Sequence, residues 1–193
     1  MTAVAREAYP LSFEVEYPER LSRLLIFVKW LLAFPHWLVI YGLGVLAGAI
    51  TFIAWFAILF TGRYPRDLFD LVVKSWRWQA NVNAYVGLMR DEYPPFSWEE
   101  GRYPVTFAVE YPERLSRLLI FIKWLLAFPH YIVLGLLWLV GFLAWAIAWF
   151  AILFTGRFPR GLFDFLVGLY RWNWRVQAYT NLLRDEYPPF SLR

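Results

Sequence analysis

The sequence predicts an all-α integral membrane protein: a tandem duplicated helical hairpin with four membrane helices, two interfacial amphipathic helices, and a short β-strand at the start of each copy. Three observations carry that reading. The 193 residues are 60% hydrophobic and 22% aromatic, with only 18% charged, at a mean hydropathy of +0.44. A soluble domain averages about 45–50% apolar and about 25% charged, so too little polar surface is present to cover a water-facing globule. The chain is written twice: an offset of 94 residues lays Tyr9 on Tyr103, Thr61 on Thr155 and Asp91 on Asp185 without a gap. Each copy, finally, carries an apolar block, residues 24–60 and 118–154, far longer than the roughly 20 residues one span needs.

The repeat divides the chain into residues 1–98 and 99–193, and two copies suit a duplicated domain better than a solenoid. Identity between the copies is highest in EYPERLSRLLIF, AWFAILFTGR and RDEYPPFS, and nearly vanishes between residues 41–52 and 135–146. Those two stretches are therefore expected to face different surroundings. The rest of each copy should repeat about a pseudo-two-fold axis along the membrane normal.

Each copy opens on an alternating stretch. YPLSFEVEYP puts Leu11, Phe13 and Val15 on one face and Ser12, Glu14 and Glu16 on the other, the period of a strand bounded by prolines. YPVTFAVEYP in the second copy is its natural partner. The apolar block follows. Either a short interfacial helix precedes one span, or two spans turn near Tyr41-Gly42-Leu43-Gly44. Charge placement favours the hairpin. Arg20, Arg23, Arg63 and Arg66 match Arg114, Arg117, Arg157 and Arg160, and an even number of spans keeps all of them on one side, as the positive-inside rule wants. Thr61-Gly62 then stops the helix. Residues 65–89 and 159–183 form an amphipathic pattern, with Phe69, Val72, Val73, Trp76, Ala80, Ala84 and Leu88 opposite Asp67, Asp70, Lys74, Arg77 and Asn81. Interleaved Trp and Arg read as a helix lying in the headgroup plane. The proline-stiffened RDEYPPFS tail ends each copy.

Composition excludes several chemistries. No cysteine is present, so there is no disulfide, thiolate nucleophile, iron–sulfur cluster or thiolate zinc site. A net charge of +4 spread over both copies lacks the concentrated stripe a nucleic-acid partner demands and suits an anionic leaflet. The first 20 residues contain no apolar core of a signal peptide. No Walker loop, dinucleotide fingerprint, HExxH or nucleophile elbow occurs.

The candidate sites are therefore intramembrane polar positions and basic anchors. Lys29 and Lys123 stand nine residues beyond Arg20 and Arg114, about 13 Å deeper at helical rise, where an ionisable group is a functional candidate unless it snorkels. His36 and His130, the only histidines, each follow proline in AFPH. They occupy a kinked turn or form a ligand pair for a haem or chlorin. Arg63 and Arg66, with Arg157 and Arg160, are candidate lipid-phosphate contacts, since guanidinium forks suit phosphate oxygens; Arg66–Asp70 is also an i,i+4 pair. Gly44 and Gly48 form a GxxxG that permits close helix approach.

The strings EYPERLSRLLIFVKWLLAFPH, AWFAILFTGRYPRDLFD and DEYPPFS resemble a bacterial membrane-protein family catalogued as domain of unknown function 4389, once per copy. The resemblance implies a multi-span bacterial membrane protein and assigns no catalytic or binding residue. The expectation is a non-catalytic structural or accessory subunit of a bacterial inner-membrane assembly. It would have both termini cytoplasmic, membrane lipids as partners, and further copies or a larger complex around it. The alternative is a small carrier, pore or cofactor-binding protein that uses the paired Lys and His positions.

Overall fold

The computed structural model describes residues 9–193; residues 1–8, where the first copy and the N-terminal stretch discussed above begin, lie outside the described residues. Each copy has the same order of elements. In the first, β1 (Leu11–Val15) leads to a 3₁₀ turn (Leu25–Phe27), a one-turn helix α1 (Lys29–Leu32), a long helix α2 (Phe34–Thr61) and a third helix α3 (Arg66–Val86). The second copy repeats this as β2 (Val105–Val109), a 3₁₀ turn (Leu119–Phe121), α4 (Lys123–Leu126), α5 (Phe128–Thr155) and α6 (Arg160–Thr180).

The strands form as the alternation predicts, burying Leu11, Phe13 and Val15 and exposing Ser12 and Glu14. They pair across the copies, antiparallel, with Phe13 opposite Phe107. Each third helix then packs on the strand of the other copy: α3 on β2 and α6 on β1. The N-terminal strand thereby closes onto the last helix of the chain.

The expected hairpins do not form. α2 runs unbroken through Tyr41-Gly42-Leu43-Gly44, and α5 is equally continuous. Four membrane helices are replaced by two long ones, each about 42 Å at helical rise. Pro35 and Pro129 sit at the helix starts, where a missing N–H costs nothing, so they begin a helix rather than kink one. A turn at Gly42–Gly44 would free backbone groups among apolar side chains, whereas α3 offers a continuous surface to pack on. The contacts run the whole way, from the buried ridge Ile50, Ala54 and Ile58 near Phe69 and Val72 to Ala33 against Trp78 and Val82 at the other end.

The third helices are shorter than expected, ending at Val86 and Thr180 before left-handed Leu88 and Leu182. They are also not surface helices. Trp76, Trp78, Trp172 and Trp174 are all buried, so the Trp/Arg faces look into the protein and not into lipid headgroups. The resulting order is sheet, then α3 with α6, then α2 with α5.

Contacts between the copies are reciprocal, which defines the pseudo-two-fold. The Leu21 N–H donates to the Gly156 carbonyl and the Leu115 N–H to the Gly62 carbonyl, both at 2.8 Å. Tyr17 donates to the Phe158 carbonyl as Tyr111 does to that of Tyr64. The symmetry fails where the sequences diverge. A Cβ on Gly141 would lie 2.7 Å from Leu169 Cδ2, whereas Gly42, Gly44 and Gly48 face open space. The Gly44/Gly48 pair is therefore not met by another helix among the described residues.

Candidate membrane face and its basic clefts

Among the described residues two helices, α2 and α5, are long and apolar enough to cross a membrane, and only 17% and 22% of their most apolar stretches are buried. Their outward sides merge with the turns that precede them. Leu24 and Leu118 are each 79% exposed, and Trp30 and Trp124 are 65% and 67% exposed. Each of these indoles donates to a carbonyl three residues back, Phe27 and Phe121, at 2.8 Å, so its polar atom is already satisfied. The result is a broad aromatic and aliphatic surface. Monomeric soluble proteins rarely expose such a patch beyond a few hundred Å².

The lysines do not point into this surface. Lys29 is buried, with its Nζ 2.8 Å from Asp91 Oδ1, 2.6 Å from the Arg90 carbonyl and 5.0 Å from the Tyr85 ring centre. Asp91 also accepts the Ser22 N–H at 2.5 Å. Lys123, Asp185 and Ser116 repeat the set. Burial pushes the Lys29 ammonium down from its ordinary value, against the opposing hydrogen bond to Asp91.

The histidines sit seven residues further on, about two turns, each within its own copy. His36 Nδ1 accepts the Trp78 indole N–H at 3.0 Å, and its ring stacks on Phe96 at 4.0 Å. His130 does the same with Trp172 and Phe190. The two imidazoles are enclosed in separate aromatic clusters, and the structure does not bring them together as a ligand pair. Their Nε2 atoms are buried without a partner. Tyr93 and Tyr187 close these clusters and donate to the Leu32 and Leu126 carbonyls that end α1 and α4. Sequence reasoning missed this job of the RDEYPPF tails. Their identity in both copies was the available signal.

Of the candidate phosphate contacts, two are already occupied. Arg66 pairs with Asp70 at 3.3 Å and lies over the Tyr111 ring; Arg160 pairs with Asp164 and lies over Tyr17. Arg63 and Arg157 are placed differently. Arg63 lines a cleft of about 500 Å³ with Thr61, Gly62, Arg114, Leu115 and Arg117. Arg157 lines a matching cleft of about 470 Å³ with Thr155, Gly156, Arg20, Leu21 and Arg23. Each cleft draws one arginine from one copy and two from the other. Gly62 and Gly156 adopt φ of +71° and +70°, which glycine does without strain, and Arg117 Nε would lie 3.5 Å from a Cβ placed on Gly62.

No group of three or more metal-ligating side chains occurs among the described residues. No curated protein and no solved structure matches the chain. A family profile matches residues 23–97 and 117–191, leaving out the strands that the copies exchange. With most of its length accounted for in two tandem copies, the chain belongs to the family described as Domain of unknown function (DUF4389).

Proposed function

We propose that this protein is a non-catalytic structural or accessory component of a bacterial inner membrane that lies in one leaflet rather than crossing it. The observation that carries this reading is the pairing of α2 with α3. The two helices run side by side for the length of α3, so a spanning α2 would bring α3 to the same depth. Exposed Lys74 and buried Arg77 lie midway along α3, with Arg66 and Asp67 at its start. Charged side chains at the bilayer centre cost about 2.5–3.5 kcal/mol each on insertion scales. Laid in the plane, α2 and α5 sink their exposed sides among acyl chains, while the sheet turns Ser12, Glu14 and Thr106 to water. The pseudo-two-fold then runs along the membrane normal, and both copies place their basic residues on one side without needing an even number of spans.

Labelling tests the reading directly. Single cysteines replacing Ser97, next to the Phe96 that stacks on His36 at the start of α2, and Thr61, at the end of α2, should react with a membrane-impermeant maleimide from the same side of sealed vesicles. Reaction from opposite sides would establish a span and defeat the proposal.

A further inference from the structure

We infer that the two arginine clefts are a pair of phosphate-binding sites, each assembled across the interface between the copies. The argument begins with where the arginines of this chain find acceptors. Arg66, Arg77, Arg90, Arg102, Arg160, Arg171 and Arg184 each meet a carboxylate, and Arg175 donates to the Arg193 carbonyl. Among the described residues the guanidinium groups without a protein acceptor are Arg193, at the chain end, and the six that line the clefts.

Three such cations around one concavity repel one another unless an anion sits between them. No carboxylate lines either cleft. Guanidinium forks match phosphate oxygens two at a time, so the chemistry that fits is a phosphate monoester or diester. The surroundings add a direction. Phe60 is 72% exposed two residues before Gly62, and Leu118 is 79% exposed beside Arg117. The second cleft is flanked likewise by Phe154 and Leu24. Each cleft thus lies at the edge of the apolar face, where a lipid phosphate would be found if that face lies in a leaflet. The lipid source rests on the membrane reading above; a free phosphate would not.

The test uses the full chain and three probes: vesicles of digalactosyldiacylglycerol alone, a neutral lipid without phosphate, vesicles with phosphatidylglycerol added, and inorganic phosphate. Binding to neutral vesicles reports the apolar face and should be the same for all variants; its absence would defeat the membrane reading without touching the clefts. Arg63→Gln with Arg157→Gln removes one guanidinium from each cleft. It should weaken binding to the phosphatidylglycerol vesicles roughly 25-fold, about fivefold per arginine. Arg66→Gln with Arg160→Gln removes the same charge from occupied positions and should change binding less than about threefold. Arg20→Gln with Arg114→Gln should reproduce the first pair, and circular dichroism shows which variants are folded. Saturable binding of inorganic phosphate at two per chain, abolished by the first pair, would identify a free phosphate as the ligand. Equal losses for cleft and control variants, or no loss for either, would overturn the proposal.

Discussion

Lys29 sits in the core because the chain folds its own tail back to meet it. Asp91 supplies the charge, the Arg90 carbonyl a second acceptor and Tyr85 a ring face. Breaking a buried pair by removing one partner strands the other. Asp91→Ala is therefore expected to cost about 3–5 kcal/mol in chemical unfolding, with Asp185→Ala similar. Lys29→Met should cost less. The Asp91 side chain is 26% exposed, so water can take over its charge and the Ser22 N–H remains to satisfy it. A larger loss for Lys29→Met would show that the lysine stem, and not the stranded charge, holds this corner.

A second residue-scale outcome concerns pH. Arg90 grips Glu92 with two hydrogen bonds, at 2.6 and 2.9 Å, and this holds the Glu92 carboxyl below its ordinary value of 4.5, against the opposing effect of burial. A depressed carboxylate contributes stability that is present above the ordinary value and lost as pH falls through the folded one. Glu92→Gln should thus be slightly less stable than the parent at pH 7, with the gap closing below pH 4.5. Thermal unfolding of both proteins across that range measures it. The contribution is small because the Glu92 side chain is more than half exposed.

At the scale of elements, the two long helices solve the same packing problem with different side chains. Copy two sets Gly141 under Leu169, and Trp138 edge-on to Tyr170 at 5.0 Å. The equivalent positions in copy one are Ala47, Ser75, Gly44 and Trp76, and Trp76 turns instead towards Trp174 at 5.4 Å. Gly141 lies against a large Leu169 with no room for a Cβ, whereas the equivalent Ala47 and Ser75 are both small. Gly141→Ala should therefore destabilise by roughly 1–2 kcal/mol through overpacking. Gly48→Ala, with open space around it, should stabilise by up to about 1 kcal/mol from helix propensity alone. Unfolding in detergent would rank the two. In a Leu169→Ser background, which recreates the copy-one pairing, Gly141→Ala should cost less than it does in the parent.

The molecule as a whole is held by exchange between its copies. Each strand serves the third helix of the other copy, and each long helix ends on a hydrogen bond to the segment that leads into its counterpart. Phe13 and Phe107 lie at the centre of this exchange, opposite one another and both buried. Arg171 donates to the Phe13 carbonyl as Arg77 does to that of Phe107, while the rings meet different neighbours, Tyr170 and Trp174. Phe13→Ala and Phe107→Ala are each expected to cost about 3–5 kcal/mol. A cost near zero at either position in equilibrium unfolding would mean that the copies fold as separate units.

What the sequence determined by itself is local or periodic. The period of two in LSFEV, the apolar blocks and the stops at Thr61-Gly62 and Thr155-Gly156 are legible because each depends only on near neighbours along the chain, and the duplication at 94 residues because it compares the sequence with itself. The number of long helices was not legible. Residues 24–60 are apolar enough for a hairpin or for one helix, and hydropathy does not say whether a partner runs alongside. Only the tertiary structure decided that α3 packs along α2, that the Trp/Arg faces turn inward, and that Arg63 meets Arg114 and Arg117. Lys29 shows the same limit: its partner lies 62 positions away in a tail whose spacing reveals nothing about what it covers. Periodicity reports which face of an element is apolar, whereas the identity of what covers that face is set by chain reversal and by symmetry between the copies, and neither is written in the neighbours of any one residue.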